Sequence, residues 1–517
     1  MKLVKILSDS IQIRTNQSEF NDIRINDLLS VHDKSVNLVA MVTGLTDTDN
    51  TSDIGEEDYI GELTGIKTIE CSIIGSLKND RFYKAIDLYP TTNVDISKID
   101  SIEFSSMLST QAKECFNIGK YVAYDFPALV NGNKFFQRHA CIVGNTGSGK
   151  SETVAKILEE SSKLPGTNIV VFDIHGEYSQ MSYVSNIKIG VEFPFPIWMF
   201  GFNDIINNIL RIREETATTV MTALRRCYYT VCENGKENKP VYFDYSDFIK
   251  EMELLDNQDV FTGEYYKTGD KAGMAKTTKG EYNGKLTSTI NILKDRIADS
   301  RYEFLFAERS QNYLHEVIYS VLGNDKPIKN IDLSEIPHDV ALPIIGVITR
   351  MIFDIQRLHD INNIQPVTIV CDEAHVYIPN NFQLSASQRR MIEVFEDIAK
   401  EGRKFGITLL PATQRPSELN KTIVAQCANF IVSKLNNEND KSMIKGMLPD
   451  GDDKIIDSVT MFNPGEVLII GDSVPIPLKI KVELAKERPL SRTIDFWDVW
   501  SCKSDSNITD LVDKYLM

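Results

Sequence analysis

The chain is 517 residues long with 42% hydrophobic and 25% charged side chains, which suits about three domains and excludes a wholly disordered or fibrous protein. Lysine and arginine number 56 against 73 aspartates and glutamates, a net charge of -17. A generally basic nucleic-acid coat is thereby excluded, so any binding to DNA needs positive charge concentrated in a groove or pore.

The N-terminus, Met1 to Arg14, lacks the long apolar stretch of a signal peptide. Between residues 1 and 124 short alternating segments such as Val36 to Val42 and Thr68 to Ile74 are separated by polar turns, a pattern that predicts a small N-terminal β-barrel or sandwich, of which the barrel is taken. Longer apolar strands then alternate with helical stretches, the pattern of an α/β core, over 125–202 and again over 339–484. The intervening 203–338 shows helical periodicity (Ile205, Ile206, Ile209, Leu210; Leu286, Ile290, Leu293, Ile297) and no run of buried strands, so a helical insertion is predicted. Within it, Thr262 to Lys285 reads as a mobile loop in which Lys267, Lys271, Lys276, Lys279 and Lys285 outnumber Asp270 and Glu281. Such a strip is either a solvated linker or a DNA-contacting pore loop. A hairpin is predicted from Glu466 to Ile470 and Ile476 to Val482, and the tail 485–517 carries Trp497 and Trp500 as a candidate inter-subunit brace. The apolar runs Val191 to Phe202 and Val340 to Ile348 are too short and proline-interrupted to cross a bilayer. The eight cysteines (Cys71, Cys115, Cys141, Cys227, Cys232, Cys371, Cys427, Cys502) form no C-x-x-C pair and read as reduced thiols. A cytoplasmic protein without a membrane or zinc site is expected.

The chemistry concentrates in three segments. Gly144, Asn145, Thr146, Gly147, Ser148, Gly149, Lys150 and Ser151 fit the G-x-x-x-x-G-K-[ST] pattern, with the apolar run His139 to Val143 before it and the stripe Val154, Ile157, Leu158 after it. A strand, a glycine-rich turn and a helix N-terminus are what a triphosphate needs. Backbone N–H groups turn inward around it, Lys150 reaches the β and γ phosphates, and the Ser151 hydroxyl ligates Mg²⁺. The first helical residues, Glu152 included, lie beside the same phosphates.

A second acidic strand end must face that loop. Thr368-Ile-Val-Cys-Asp-Glu-Ala-His375 provides it, with Asp372 the candidate outer ligand of Mg²⁺ and Glu373 the candidate base that polarises water. The third segment, Glu401 to Pro416, joins an amphipathic helix (Met391, Phe395, Ile398, Gly402) to another strand. Gln414 beyond that strand is placed to sense the γ-phosphate. Arg403 either complements a helix dipole or reaches a nucleotide in a neighbouring subunit.

These segments, with Asp173-Ile-His-Gly-Glu-Tyr178, Pro194 to Phe200 and Pro464-Gly-Glu-Val, occur in an order that resembles the HerA family of the HerA/FtsK DNA-pumping ATPases. The resemblance implies a RecA-like P-loop motor core, ATP and Mg²⁺ as cofactors, a homo-hexameric ring and double-stranded DNA in its pore. It implies Arg403 as the trans-acting arginine, Arg138 as a further nucleotide-site arginine, and Asp173 as an acidic residue near the nucleotide. Partner effectors of the family are NurA-type nucleases or, in antiphage systems, sirtuin-type NADases.

A GTPase is disfavoured because no N-K-x-D segment is present. An ABC-type ATPase is excluded because Leu384-Ser-Ala-Ser-Gln-Arg389 follows the acidic strand rather than preceding it. A conjugative secretion motor is disfavoured by the lack of a spanning segment. A ring that activates its partner rather than pumping DNA is the alternative function.

Overall fold

The computed structural model describes residues 1–33, 36–48, 66–78, 81–91, 93–108, 114–212, 218–232, 239–268, 270–323, 325–360, 363–380, 386–448, 453–490, 496–501 and 511–513. Parts of the 47–53 and 77–80 turns, of the Leu384 to Arg389 segment and of the C-terminal tail, with Cys502, lie outside them.

The first unit holds β1 (Lys2–Ile6), β2 (Ser10–Thr15), α1 (Gln17–Asp22), β3 (Leu28–His32), β4 (Asn37–Thr48), β5 (Ile66–Lys78), β6 (Arg81–Tyr83), β7 (Asp95–Lys98) and α2 (Ser101–Leu108). Its strands pair in the order β1-β2-β5-β4-β3-β7, with β6 on β5. Among the described residues these strands form one seven-stranded sheet with no ladder joining β1 to β7. Alternation along β4 explains why both faces are dry. Leu38, Ala40 and Val42 face a local core with Ile11, Ile13 and Val31, whereas Val39 and Met41 face the main core with Phe104, Tyr121 and Tyr124. The Tyr124 hydroxyl accepts the Leu28 N–H at 3.0 Å and ties the two units together.

The α/β unit follows with β8 (Cys115–Tyr121), β9 (Pro127–Asn131), α3 (Gly132–Gln137), β10 (Ala140–Val143), α4 (Lys150–Ser162), β11 (Ile169–Asp173), β12 (Val184–Lys188) and α5 (Phe202–Asp204). Then come α6 (Thr218–Val231), α7 (Tyr245–Asp256), β13 (Asp259–Tyr265), β14 (Ala275–Lys279), α8 (Thr287–Ala298), α9 (Tyr313–Leu322), β15 (Ile328–Asp332) and α10 (His338–Gln356). The remainder is β16 (Val367–Cys371), α11 (Ala386–Glu401), β17 (Ile407–Thr413), α12 (Lys421–Val424), β18 (Asn429–Val432), α13 (Glu438–Lys445), β19 (Glu466–Gly471), β20 (Lys479–Val482) and α14 (Phe496–Ser501).

Eleven of these strands form one sheet, β12-β15-β11-β16-β17-β10-β18-β19-β20-β8-β9. It is parallel from β12 to β18 and antiparallel beyond. The parallel strands β10, β11, β16, β17 and β18 are buried along their whole length, as helices on both faces require.

Three sequence expectations change. β15 is a fully buried strand of the main sheet, inside the stretch expected to carry none. Its Lys329 and Asn330 hide it from hydropathy, and Lys329 is sheltered by donating to Asn168 Oδ1 at 2.9 Å. β8 and β9 pair into the same sheet through β20, so a boundary at 124 divides a hairpin. The Thr262 to Lys285 segment contains the exposed hairpin β13–β14. The β19–β20 hairpin forms as expected. Among the described residues no helix is long and apolar enough to cross a membrane.

Candidate nucleotide site

The parallel strands deliver the sequence motifs to one sheet edge, because every loop after a parallel strand emerges at the same end. β17 lies between β10, which enters the glycine-rich loop, and β16, which ends in the acidic pair. That order sets Gln414 between Lys150 and Glu373.

The loop is anchored at its start, where Gly144 N–H donates to the Thr413 carbonyl at 3.3 Å and Asn145 N–H to the Lys434 carbonyl at 2.9 Å. A Cβ on Gly144 would fall 2.6 Å from both Ser148 Oγ and Ser433 Cβ, so only glycine fits. Gly149 caps α4 with φ +98°, left-handed backbone that disfavours any side chain, and the Gly465 N–H closes on the Ser148 carbonyl at 2.8 Å. The turn thus presents the N-terminus of α4 to an open cleft of about 720 Å³.

Lys150, the first residue of α4, is 6% exposed, and its Nζ lies 3.4 Å from Asp372 Oδ1 and donates to Glu373 Oε1. The two carboxylates are 2% and 5% exposed. Burial pushes the Asp372 carboxyl up to about 6, only partly offset by the Lys150 ammonium. Burial acts on Glu373 in the same direction, but the Lys150 charge and hydrogen bonds from Lys150 and Gln414 outweigh it and hold that carboxyl below its ordinary value. Two adjacent acids therefore differ in character. Glu373 is also held at φ +46°, a strained conformation for a residue with a side chain.

Gln414 links the two halves of the site. Its Nε2 donates to Glu373 Oε1 at 2.5 Å, and its Oε1 accepts from the Thr146 hydroxyl. His375 Nδ1 lies 3.0 Å from Thr413 Oγ1 and 3.3 Å from Glu373 Oε2, and burial holds its pKa below the usual value in spite of Glu373.

Asn145, Thr146, Gly147, Gly149, Lys150, Ser151, Glu152, Glu373 and Gln414 all line the cleft. Gly144, Ser148 and Asp372 support it from behind. Asp173 does not line it. Its carboxylate is consumed by its own loop, accepting the N–H groups of His175, Glu177 and Tyr178 at 3.3, 3.0 and 3.0 Å and Asn330 Nδ2 at 3.0 Å. Arg138 and Arg403 do not reach the cleft of their own chain either. Arg138 precedes β10 at the opposite sheet edge and pairs with Asp472 at 2.8 Å. Arg403 is exposed in the turn before β17, about 20 Å from Gln414 for a seven-residue strand.

Sequence reasoning did not single out His175, Glu177, Lys481, Val482 or Leu484 as lining residues. Pro464-Gly465 was legible as a motif but not as a wall of the cleft. Lys481 sits there because its Nζ donates to the Pro464 carbonyl at 2.6 Å. A cleft of similar size, about 750 Å³, lies between the N-terminal sheet and Ile455–Lys479 and holds none of the loop residues.

The donors and acceptors fit a magnesium nucleotide. Backbone N–H groups and Lys150 suit phosphate, while Glu152 Oε2, Glu177 Oε2 and Glu373 Oε2 are buried without a hydrogen-bond partner. Among the described residues no group of three His, Cys, Asp or Glu is placed to hold a metal. A cation here would be completed by phosphate oxygens and water, the habit of Mg²⁺.

Fold and site together define an ATP-hydrolysing P-loop enzyme. Residues 116–352 match the family profile described as the central domain of helicase HerA, and most of the chain is similar to HerA-type ATPases. It is 25% identical over 429 residues to the DNA double-strand break repair helicase HerA of Saccharolobus solfataricus, covering 81% of this chain and 78% of that one. The HerA of Sulfolobus acidocaldarius is 26% identical over 450 residues, covering 84% and 82%. Among solved structures, VirB4 of Thermoanaerobacter pseudethanolicus superposes with a TM-score of 0.51 at 15% identity, covering 72% of this chain and 98% of that one, which shows a shared fold.

Proposed function

We propose that this protein hydrolyses Mg²⁺-ATP at the interfaces of a homo-hexameric ring and uses the cycle to move double-stranded DNA through that ring. The observation that carries the reading is the Lys150 ammonium held between Asp372 and Glu373, with Gln414 bridging Glu373 to the glycine-rich loop. Lys150 is poised to exchange a carboxylate for a phosphate, and Glu373 is then freed to accept a proton from water. Ser151 and Asp372 would hold the magnesium ion, which would supply positive charge to offset that of the phosphates. Gln414, touching both Thr146 and Glu373, registers whether the γ-phosphate is present.

The position of Arg403 supports a shared site. Among the described residues it has no side-chain partner and stands at the sheet edge away from its own cleft, where an arginine serving a neighbouring subunit belongs. Arg138, at the same edge and paired with Asp472, is a second candidate for that interface. The DNA substrate rests on the named activities of the HerA relatives. The exposed hairpin β13–β14, with Lys276 paired to Glu264 at 2.9 Å and Lys267, Lys271 and Lys279 around it, offers the local positive charge that an acidic chain needs for phosphate contact.

The test is ATP turnover by the purified protein with and without duplex DNA. Turnover that rises with duplex DNA supports the reading. Turnover indifferent to DNA would leave an ATPase whose ring serves a partner instead.

A further inference from the structure

The loop after β11 was expected to present Asp173 to the nucleotide, yet it presents Glu177. Asp173 is fully buried, and both of its oxygens accept from the loop's own N–H groups and from Asn330. One of those bonds fixes the backbone of Glu177, whose N–H donates to Asp173 Oδ1 at 3.0 Å. From the other side, the Leu490 N–H donates to the Glu177 carbonyl at 2.8 Å. The strap ending at Leu490 is itself pinned, since Glu487 accepts from the Ser182 N–H and hydroxyl. A residue held at both of its backbone groups has a fixed Cα–Cβ direction. The Glu177 side chain lines the cleft, and its Oε2 is buried without a partner. Glu373, 5% exposed, lines the same cleft, and its Oε2 makes no hydrogen bond and has only the His375 imidazole 3.3 Å away. An unpaired buried carboxylate oxygen is costly unless a donor arrives with the ligand.

We propose that Glu177 is a positioning residue for the magnesium nucleotide, accepting hydrogen bonds from the water that completes the ion's coordination. This rests on the nucleotide reading of the cleft. It acts through water because, among the described residues, no three carboxylate, histidine or cysteine groups converge as a ligand set. Groups that orient a metal's ligands typically contribute 10–100-fold to its affinity.

The experiment is equilibrium binding of a fluorescent non-hydrolysable ATP analogue to the full chain across a Mg²⁺ titration. Glu177→Gln is expected to raise the Mg²⁺ concentration at half-saturation about tenfold. It leaves affinity without Mg²⁺ unchanged or tighter, because one negative charge near the phosphates is gone. A purely structural role would change neither. Glu177→Asp, which keeps the charge but withdraws it by one methylene, is expected to fall between the two, and stands in if Glu177→Gln does not fold. An unaltered Mg²⁺ dependence in the folded variant overturns the proposal. If Lys150→Ala also bound the analogue like the wild type, the nucleotide site itself would be misplaced, which separates the two failures.

Discussion

Replacing Asp372 by asparagine should make the nucleotide-free protein more stable while removing its activity. The Asp372 carboxyl is pushed from an ordinary 3.8 up to about 6, with burial the main cause. A raised carboxyl means that the folded state holds its proton more tightly than the unfolded state, so stability falls as pH rises from about 4 to about 6. Above that window the folded protein carries the full cost of the ionised group, about 3 kcal/mol for this displacement. Asparagine resembles the protonated acid in shape and carries no charge. The variant should therefore gain up to about 3 kcal/mol at pH 8 and about half of that at pH 5. Urea denaturation followed at both pH values measures the difference directly. Adding Mg²⁺-ATP should reverse the ranking, because ligand stabilises only the protein that binds it. A variant no more stable than wild type at pH 8, or with the same advantage at pH 5, would refute the reasoning.

Lys150→Ala removes the cation between two buried carboxylates and the contact to phosphate. It should abolish hydrolysis with and without DNA, and breaking a buried pair of this kind costs roughly 3–5 kcal/mol of stability; retained turnover would count against the site. Arg403→Ala should lower turnover by on the order of 10³ to 10⁵, and mixing it with Glu373→Gln should restore part of the loss, since mixed rings contain interfaces with both groups intact. His139 is 4% exposed, its Nδ1 accepts the Leu409 N–H at 2.9 Å, and Nε2 lies 3.1 Å from the Ala399 carbonyl. Burial lowers its pKa below the ordinary 6.5, so the folded state disfavours the second proton. Its contribution is present above pH 6.5 and is lost as pH falls below it; urea midpoints should decline through that range in wild type and less steeply in His139→Gln.

What could be read in the sequence was local. A glycine-rich turn between a strand and a helix, an acidic pair ending an apolar strand and a glutamine ending the next are each a few residues long, and a parallel sheet brings such strand ends together without further information. The contacts that assign individual atoms were not local. Asp173 and Glu177 stand four residues apart in one motif, and only the bonds from Tyr178, Asn330 and Leu490 show which carboxylate faces the cleft. β15 escaped detection because burial there is tolerated through a lysine bonded to Asn168, a residue 161 positions away. Arg138 was chosen through family resemblance and Arg403 first as one of two readings of a helix end, and the folded chain sets both apart from its own nucleotide cleft, a placement that periodicity does not predict.

The central claim is that ATP is cleaved in a cleft completed by a second copy of the chain. Turnover per chain, measured across serial dilution alongside particle mass, tests it most directly. Turnover is expected to collapse as the assembly dissociates and to return when it re-forms. Undiminished turnover from a species with the mass of one chain would contradict it.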